Sequence, residues 1–501
     1  MVSSTDFSVD LGLTKRNPWI DENNADPFFE MSAMTNDTLQ ELSLKEIHQR
    51  LRDGSLKSRE LTESAIAAYR EDLGAYRDFR KEDAIEHAIL ADQAFRCGTD
   101  LGPLQGVPVS VKDLYGLSGT QTFAGSPKAL PESFEKEGPV VSSLRRQHSV
   151  FTGKTHTVEF AFGGLGVNTH WGTPRNPWDA ETHRVPGGSS CGAGVSLQEG
   201  TAWIALGSDT AGSVRVPASM TGCVGLKTSY GRWSLDGIFP LSPTLDTAGI
   251  LTRSAEDALI GFAAIDPEHQ GKLAELMKDS ESLDPTSVRI STRDMTLWQD
   301  CESGIAETVE DALKELNRGG VRLVESTTPE TRQALEIFNM GSVPGIEIKE
   351  FIQSELPAWL ETTDPVVGTR IKSSSSVDAG EYLRRLRVLK KLSASVQRHF
   401  EDVDLIASPT VPITPPSLAD VSEVEGYAPR NMASLRNTAV GNLLRLCGIT
   451  LPVGLDASGM PVGLQLLAKH GNDAKLLTIA CRLEKILGTP RQRLGLAPCL
   501  K

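Results

Sequence analysis

Two serines and a lysine stand where hydrolytic chemistry would want them. Residues 187–194 read Gly-Gly-Ser-Ser-Cys-Gly-Ala-Gly, Ser213 follows 24 positions after Ser189 inside Gly-Ser-Asp-Thr-Ala-Gly-Ser, and Lys112 ends the apolar run that starts at Val107. A serine hydroxyl is a weak nucleophile near neutral pH and needs a base. A lysine can be that base only where burial or nearby positive potential lowers its pKa enough to leave the amine neutral. The approach Val107-Pro108-Val109-Ser110-Val111 predicts such desolvation for Lys112. The loop from Asp209 to Ser213 would present successive backbone N–H groups beside small side chains, as an oxyanion hole requires. From these residues alone, a serine nucleophile in a glycine-rich loop competes with a structural loop and with a small-ligand binding module.

Other signatures in the same stretch are incomplete. Gly188-Ser189-Ser190-Cys191-Gly192 matches the G-x-S-x-G elbow, which would make Ser190 the nucleophile, but none of the nine histidines stands in a context that marks it as its base. Thr152-Gly153-Lys154-Thr155 ends like a phosphate-binding loop, yet His148 occupies the place of the first glycine. There is no HExxH, and His148 and His156 lie eight apart with no carboxylate in register, so no metal site is expected.

The elements that must hold these residues can be read from periodicity. Leu42, Ile47 and Leu51, then Leu61, Ala65, Ile66 and Tyr69, predict two amphipathic helices broken at Asp53-Gly54. Residues 83–96 continue as helix, and Val107–Val111 reads as a buried strand running into Lys112-Asp113. From Gly153 to Gly249 the chain turns rich in Gly, Ser and Thr while keeping short apolar segments, which points to backbone approach to a ligand. Residues 255–400 return to amphipathic helix, with short strands expected at Val288–Ser291 and Gly320–Val324. Then come a strand entering a proline-rich turn at 405–416, a hairpin across Asp456–Gly459, and a helix from Asp473 to Leu487. The first 38 residues, rich in Asp, Asn, Pro and Ser, read as an arm.

Composition narrows the classes. The 501 residues carry 51 Lys+Arg against 65 Asp+Glu, a net charge of −14, which argues against a general nucleic-acid or anionic-membrane binder. Seven scattered cysteines without a CxxC pair fit a reducing, cytoplasmic location, and no run of about 20 apolar residues offers a membrane span. The N-terminus lacks the apolar stretch of a signal peptide.

Taken in order, the motifs resemble the amidase signature family. The similarity runs through Lys112-Asp113, GKTHTVEFA at 153–161, GTPRNPWD at 172–179, GGSS at 187–190, SDTAGSVRVPAS at 208–219, VGLKTSYGR at 224–232, LSPTLDTAG at 241–249, SPTVP at 408–412 and LPVGLDASGMPVGLQLL at 451–467. The resemblance implies an α/β fold, a single large domain over 39–495 with a mixed, twisted β-sheet flanked by helices on both faces, after an arm at 1–38. It implies a cofactor-independent amidase in which Ser213 attacks the amide carbonyl, Ser189 bridges through a cis peptide and Lys112 is the terminal base. Thr210, Ala211, Gly212 and Ser213 would form the oxyanion loop, with Ser190, Asp209 and Arg215 in support. The partner implied is a small-molecule amide, with neither nucleic acid nor membrane; homodimer formation stays open. The alternatives are the glutaminase component of a tRNA-dependent amidotransferase, a urea-type hydrolase of the allophanate or biuret kind, and a non-catalytic binding protein.

Two departures from the family pattern stand at the centre. Cys191 replaces a common glycine and reads as a small packing residue, with a thiol-reactive site as the sharper alternative; Ala211 replaces another glycine and is harmless unless that position needs a positive φ. The segment of about 330–440 is expected to build the pocket. It offers Phe338, Met340, Phe351, Trp359 and Leu383 beside Arg370, Arg384 and Arg385, with no substrate contact assigned and a mild preference for an aryl or alkyl amide.

Overall fold

In the computed structural model, residues 39–501 are described apart from 293, 342, 375 and 376, so the expected arm at 1–38 lies outside the described residues. Eleven strands form one sheet: β1 (Tyr76–Phe79), β2 (Pro108–Lys112), β3 (Val150–Thr155), β4 (Ile204–Asp209), β5 (Val224–Lys227), β6 (Thr247–Thr252), β7 (Arg289–Ser291), β8 (Arg322–Val324), β9 (Leu405–Pro409), β10 (Cys447–Leu455) and β11 (Pro461–Ala468). Their order is β1-β3-β2-β4-β6-β5-β10-β11-β9-β7-β8. The sheet is mixed. β2 runs parallel to both β3 and β4, and β7 runs parallel to β8 and β9, while β4–β6, β5–β10 and the β10–β11 hairpin are antiparallel.

β2 and β4 are buried along their whole length, which is why Val107–Val111 and Ile204–Leu206 read as largely apolar runs. Around them the helices follow local rules. Helix Leu44–Asp53 opens on a capping box in which the Ser43 side chain accepts from the Glu46 N–H, closes on Gly54 in the left-handed conformation, and buries Leu44, Ile47 and Leu51. Helix Asp473–Leu487 has the predicted bounds and turns Leu476, Ala480, Leu483 and Leu487 inward. The largest apolar cluster joins this helix and helix Ala255–Ile265 to the sheet; a second gathers helices Pro329–Asn339 and Val424–Leu443.

Some of the expected ligand approach in the glycine-rich stretch turns out to be packing. Helix Cys191–Glu199 lies close against the sheet, and a Cβ at Gly192 would meet the Ala75 carbonyl oxygen at 2.0 Å. The sequence pattern could not separate the two because both demand the same missing side chain. The phosphate-loop lookalike is likewise structural: Thr152–Thr155 lies inside β3, and buried Lys154 faces Asp113 at 3.2 Å.

Candidate active site

Parallel β2 and β4 deliver their ends side by side, with Val111 in register with Leu206. Lys112, the last residue of β2, is wholly buried, and its Nζ lies 2.8 Å from the Ser189 Oγ and 2.9 Å from the Ser208 Oγ. Burial brings this amine down to about 7, with the nearby Asp209 and Asp246 carboxyl groups opposing the shift. An amine with that pKa is largely neutral just above neutrality and has a lone pair to accept a proton.

Ser189 stands two positions before the helix Cys191–Glu199, and the Gly188–Ser189 peptide is cis. Its carbonyl accepts hydrogen bonds from the N–H groups of Val158 (3.2 Å) and Cys191 (2.9 Å), which fix the corner. The Ser190 N–H donates to the Ser213 carbonyl at 3.3 Å, bringing the two serine loops together. The Ser190 hydroxyl faces the Ser208 carbonyl at 3.5 Å, with no histidine in its hydrogen-bond network among the described residues. Ser190 is therefore placed as a loop residue here, and the elbow reading has no base to work with.

Ser213 follows β4 and is 4% exposed. The loop that carries it is held from inside by Asp209. Asp209 Oδ1 accepts from the Gly212 N–H at 2.8 Å and Oδ2 from the Val214 N–H at 3.1 Å, while Arg215 grips both oxygens, Nη2 to Oδ1 at 2.8 Å and Nε to Oδ2 at 3.1 Å. Both residues are fully buried. Burial alone would raise the Asp209 pKa, but the Arg215 charge and its hydrogen bonds prevail and hold it at about 2. Arg215 also reaches the Gln465 Oε1 on β11 and the Asn442 Oδ1, each at 2.7 Å.

Gly212 has φ +136°, and a Cβ there would lie 2.1 Å from the Thr438 Oγ1, so the loop requires glycine at this position. Ala211 lies outside the positive-φ residues and so accommodates its methyl group without strain. On the outer side of the loop the Thr210 hydroxyl donates to Asp246 Oδ1 at 2.5 Å, and the Leu241 and Ser242 N–H groups both donate to Asp246 Oδ2 at 2.9 Å.

The Cys191 thiol is fully buried, and its pKa is pushed up to about 12, burial outweighing the pull of Lys112. A protonated, inaccessible thiol is a packing group. Among the described residues no group of three or more His, Cys, Asp or Glu side chains could hold a metal ion.

A cleft opens in front of Ser213, its walls including Phe162, Thr210, Ala211, Phe338, Arg370 and Leu435. Of the pocket segment's candidates, Phe338 and Arg370 reach this cleft. Met340 and Leu383 face solvent, Arg384 and Arg385 pair with Glu381, Trp359 covers Lys128, and Phe351 packs on Phe134 and Phe239. Sequence reasoning missed Ser208 and Asp246. Ser208 had a faint signal, since it precedes Asp209 at the end of the strand parallel to β2. Asn442 and Gln465 had none.

A family model described as Amidase matches residues 60–477. The chain is 48% identical over 457 residues to 2-amino-5-chloromuconic acid deaminase of Comamonas testosteroni, covering 91% of this chain and 98% of that protein. It is 29% identical over 492 residues to one component of the glutamyl-tRNA(Gln) amidotransferase of Syntrophus aciditrophicus, covering 89% and 97% respectively. Among solved structures, one titled "Crystal structure of amidase" superposes with a TM-score of 0.80 at 28% identity, over 89% of this chain and all of the other.

Proposed function

The chain belongs to the amidase signature family, and from that premise we propose that it hydrolyses a C–N bond of a small molecule through an acyl-enzyme on Ser213. The observation that carries the reading is the buried Lys112 amine at 2.8 Å from the Ser189 hydroxyl, with a pKa brought to about 7.

In the proposed sequence the Ser213 Oγ attacks the carbonyl carbon while its proton passes to the Ser189 Oγ, whose own proton passes to the Lys112 Nζ. The carbonyl π pair moves onto oxygen, and the resulting oxyanion is met by backbone N–H groups of the loop. The Gly212 N–H is engaged by Asp209 at 2.8 Å, so the donors in this reading narrow from four to those of Thr210, Ala211 and Ser213. Collapse expels the amine as the C–N bond breaks, and the proton returns along the relay to the leaving nitrogen. Water repeats the sequence on the ester, releasing the acid and restoring the Ser213 hydroxyl. Asp209 and Arg215 hold the loop and Ser190 the corner. Residues of about 330–440 supply part of the substrate pocket, no cofactor takes part, and the partner is a small molecule rather than a nucleic acid or a membrane.

A second reading is favoured by the 48% identity to 2-amino-5-chloromuconic acid deaminase: release of ammonia from an amino-substituted unsaturated diacid, in which the same residues would activate water to add to the C=N carbon of the imine tautomer and protonate the leaving nitrogen, giving the keto acid without an acyl-enzyme. The amidotransferase glutaminase reading has the weaker support of 29% identity and would require a partner protein. These readings separate on a panel of alkyl and aryl amides, ureas, glutamine and 2-aminomuconic acid, scored for ammonia release by the purified chain. Amide turnover abolished by Ser213→Ala, by at least about 10⁴-fold, is the expected result. Unchanged turnover in that variant would overturn the mechanism. Dominant glutamine turnover together with a co-purifying partner would favour the amidotransferase.

A further inference from the structure

The nucleophile loop is held from inside by the Asp209–Arg215 pair, and its outer side rests on two carboxylates. The turn at 241–246 leads into β6, whose first residue Thr247 is in register with Asp209 at the end of β4. Asp246 ends that turn and accepts from the Thr210 hydroxyl at 2.5 Å and from the Ser242 N–H at 2.9 Å. Ser242 faces two ways, for its hydroxyl donates to Glu347 Oε2 at 2.5 Å. Glu347, on helix Val343–Glu355, also accepts from the Thr244 hydroxyl of the same turn. The Tyr382 hydroxyl, from helix Ala379–Ser395, donates to Glu347 Oε1 at 2.6 Å. A line of hydrogen bonds thus runs Thr210–Asp246–Ser242–Glu347–Tyr382, from the nucleophile loop to two helices of the pocket segment. The first of those helices also gives Pro344 to the cleft wall.

This arrangement works against stability. Asp246 is buried, and burial raises its pKa to about 6, with the charge of Glu347 adding to the rise. Every hydrogen bond that the two carboxylates accept from described residues comes from a hydroxyl or a backbone N–H, none from Lys or Arg. A tie that served packing alone could use an amide or a hydroxyl in place of the second carboxylate. What a carboxylate adds is direction: it only accepts, so the hydroxyls of Thr210, Ser242, Thr244 and Tyr382 are all fixed as donors. A network with one such orientation is stiff, and local costs of this kind collect at functional sites.

We propose that Glu347 is a positioning residue of the reaction: through Ser242 and Asp246 it sets the Thr210–Ala211 part of the oxyanion loop in register with the cleft wall. The role rests on the hydrolytic reading of Ser213 and adds to it a group that acts without touching the substrate.

The test compares acetamide, which has no chain to lay against the wall helices, with hexanamide. Glu347→Gln should lower kcat for both amides by the same factor, about tenfold or more, because displaced donors fail every substrate alike. Thr210→Val cuts the other end of the line and should act in the same way, with Thr210→Ser recovering most of its loss. The double variant Glu347→Gln/Thr210→Val should fall little below the lower single variant. A raised KM for hexanamide with acetamide turnover unchanged makes Glu347 a wall residue and overturns the proposal, as do losses that multiply in the double variant. If Glu347→Gln does not fold, Tyr382→Phe takes its place, with an equal and smaller loss of kcat on both amides; unchanged kcat there overturns the proposal. If the wild-type protein turns over neither amide, the hydrolytic reading is what has failed, and a crystal structure of the Glu347→Gln or Tyr382→Phe variant decides. The contact between the Thr210 hydroxyl and Asp246 should then be lost, and an unmoved Thr210 overturns the role of Glu347.

Discussion

The stretch 187–246 and the stretch 329–401 face the same cleft and are built on opposite terms. In the first, Ser189, Ser190, Asp209, Ser213 and Arg215 are buried, and the loops are tied by backbone and side-chain hydrogen bonds at almost every step. In the second, helices leave Met340 52% and Leu383 51% exposed and send only a few side chains, Phe338 and Arg370 among them, to the cleft. The proposed relay of proton transfers would tolerate little displacement, and its residues grow from strand ends and interlocked loops. Choice of substrate needs only a wall of suitable shape and charge, which helices at the rim of the cleft can supply and exchange.

Substitutions that sharpen this contrast begin in the buried half. Lys112→Ala should lower kcat by about 10² to 10⁴ and regain part of it at high pH, where hydroxide substitutes for the missing base. In the unmutated protein, kcat/KM should rise with pH through about 7 and then level off, because the neutral amine is the active form and burial brings its pKa there. A profile flat from pH 6 to 9 would remove Lys112 from the relay. Next is Asp209→Ala, which strands the Arg215 charge in a fully buried site; chemical denaturation should report a loss of about 3–5 kcal/mol.

The helical half should respond more gently. Phe338→Leu keeps most of the wall's volume and should cost under about 1.5 kcal/mol of stability while moving KM more than kcat. Leu383→Ala, at a solvent-facing position, should stay within about 0.5 kcal/mol of wild type and leave turnover untouched. If Leu383→Ala impaired catalysis as Lys112→Ala does, the division between the two regions would be wrong.

How far the sequence is legible follows the same division. Val107–Val111 and Asp473–Leu487 can be read because a buried strand and an amphipathic helix write their burial into local periodicity. Lys112, Ser189 and Ser213 can be read because their motifs are short and contiguous. β1, at Tyr76–Phe79, has too few residues to show an alternation, and its partner β3 lies some 70 positions away. Asn442 and Gln465 acquire meaning through Arg215, which is more than 200 positions distant from each. Arg370 stands in the sequence beside Arg384 and Arg385 with nothing to set it apart; only packing sends one to the cleft and the others to Glu381.

The Arg215 clasp has a consequence for how the protein comes into being. One guanidinium joins Asp209 at the end of β4 to Asn442 in a late helix and to Gln465 on β11. A ribosome must therefore have released nearly the whole chain before the Ser213 loop acquires its full set of supports. Contacts that span such separations close late in folding. Nascent fragments ending before β11 should consequently be without hydrolytic power, and on refolding from denaturant turnover should reappear only as the C-terminal hairpin docks.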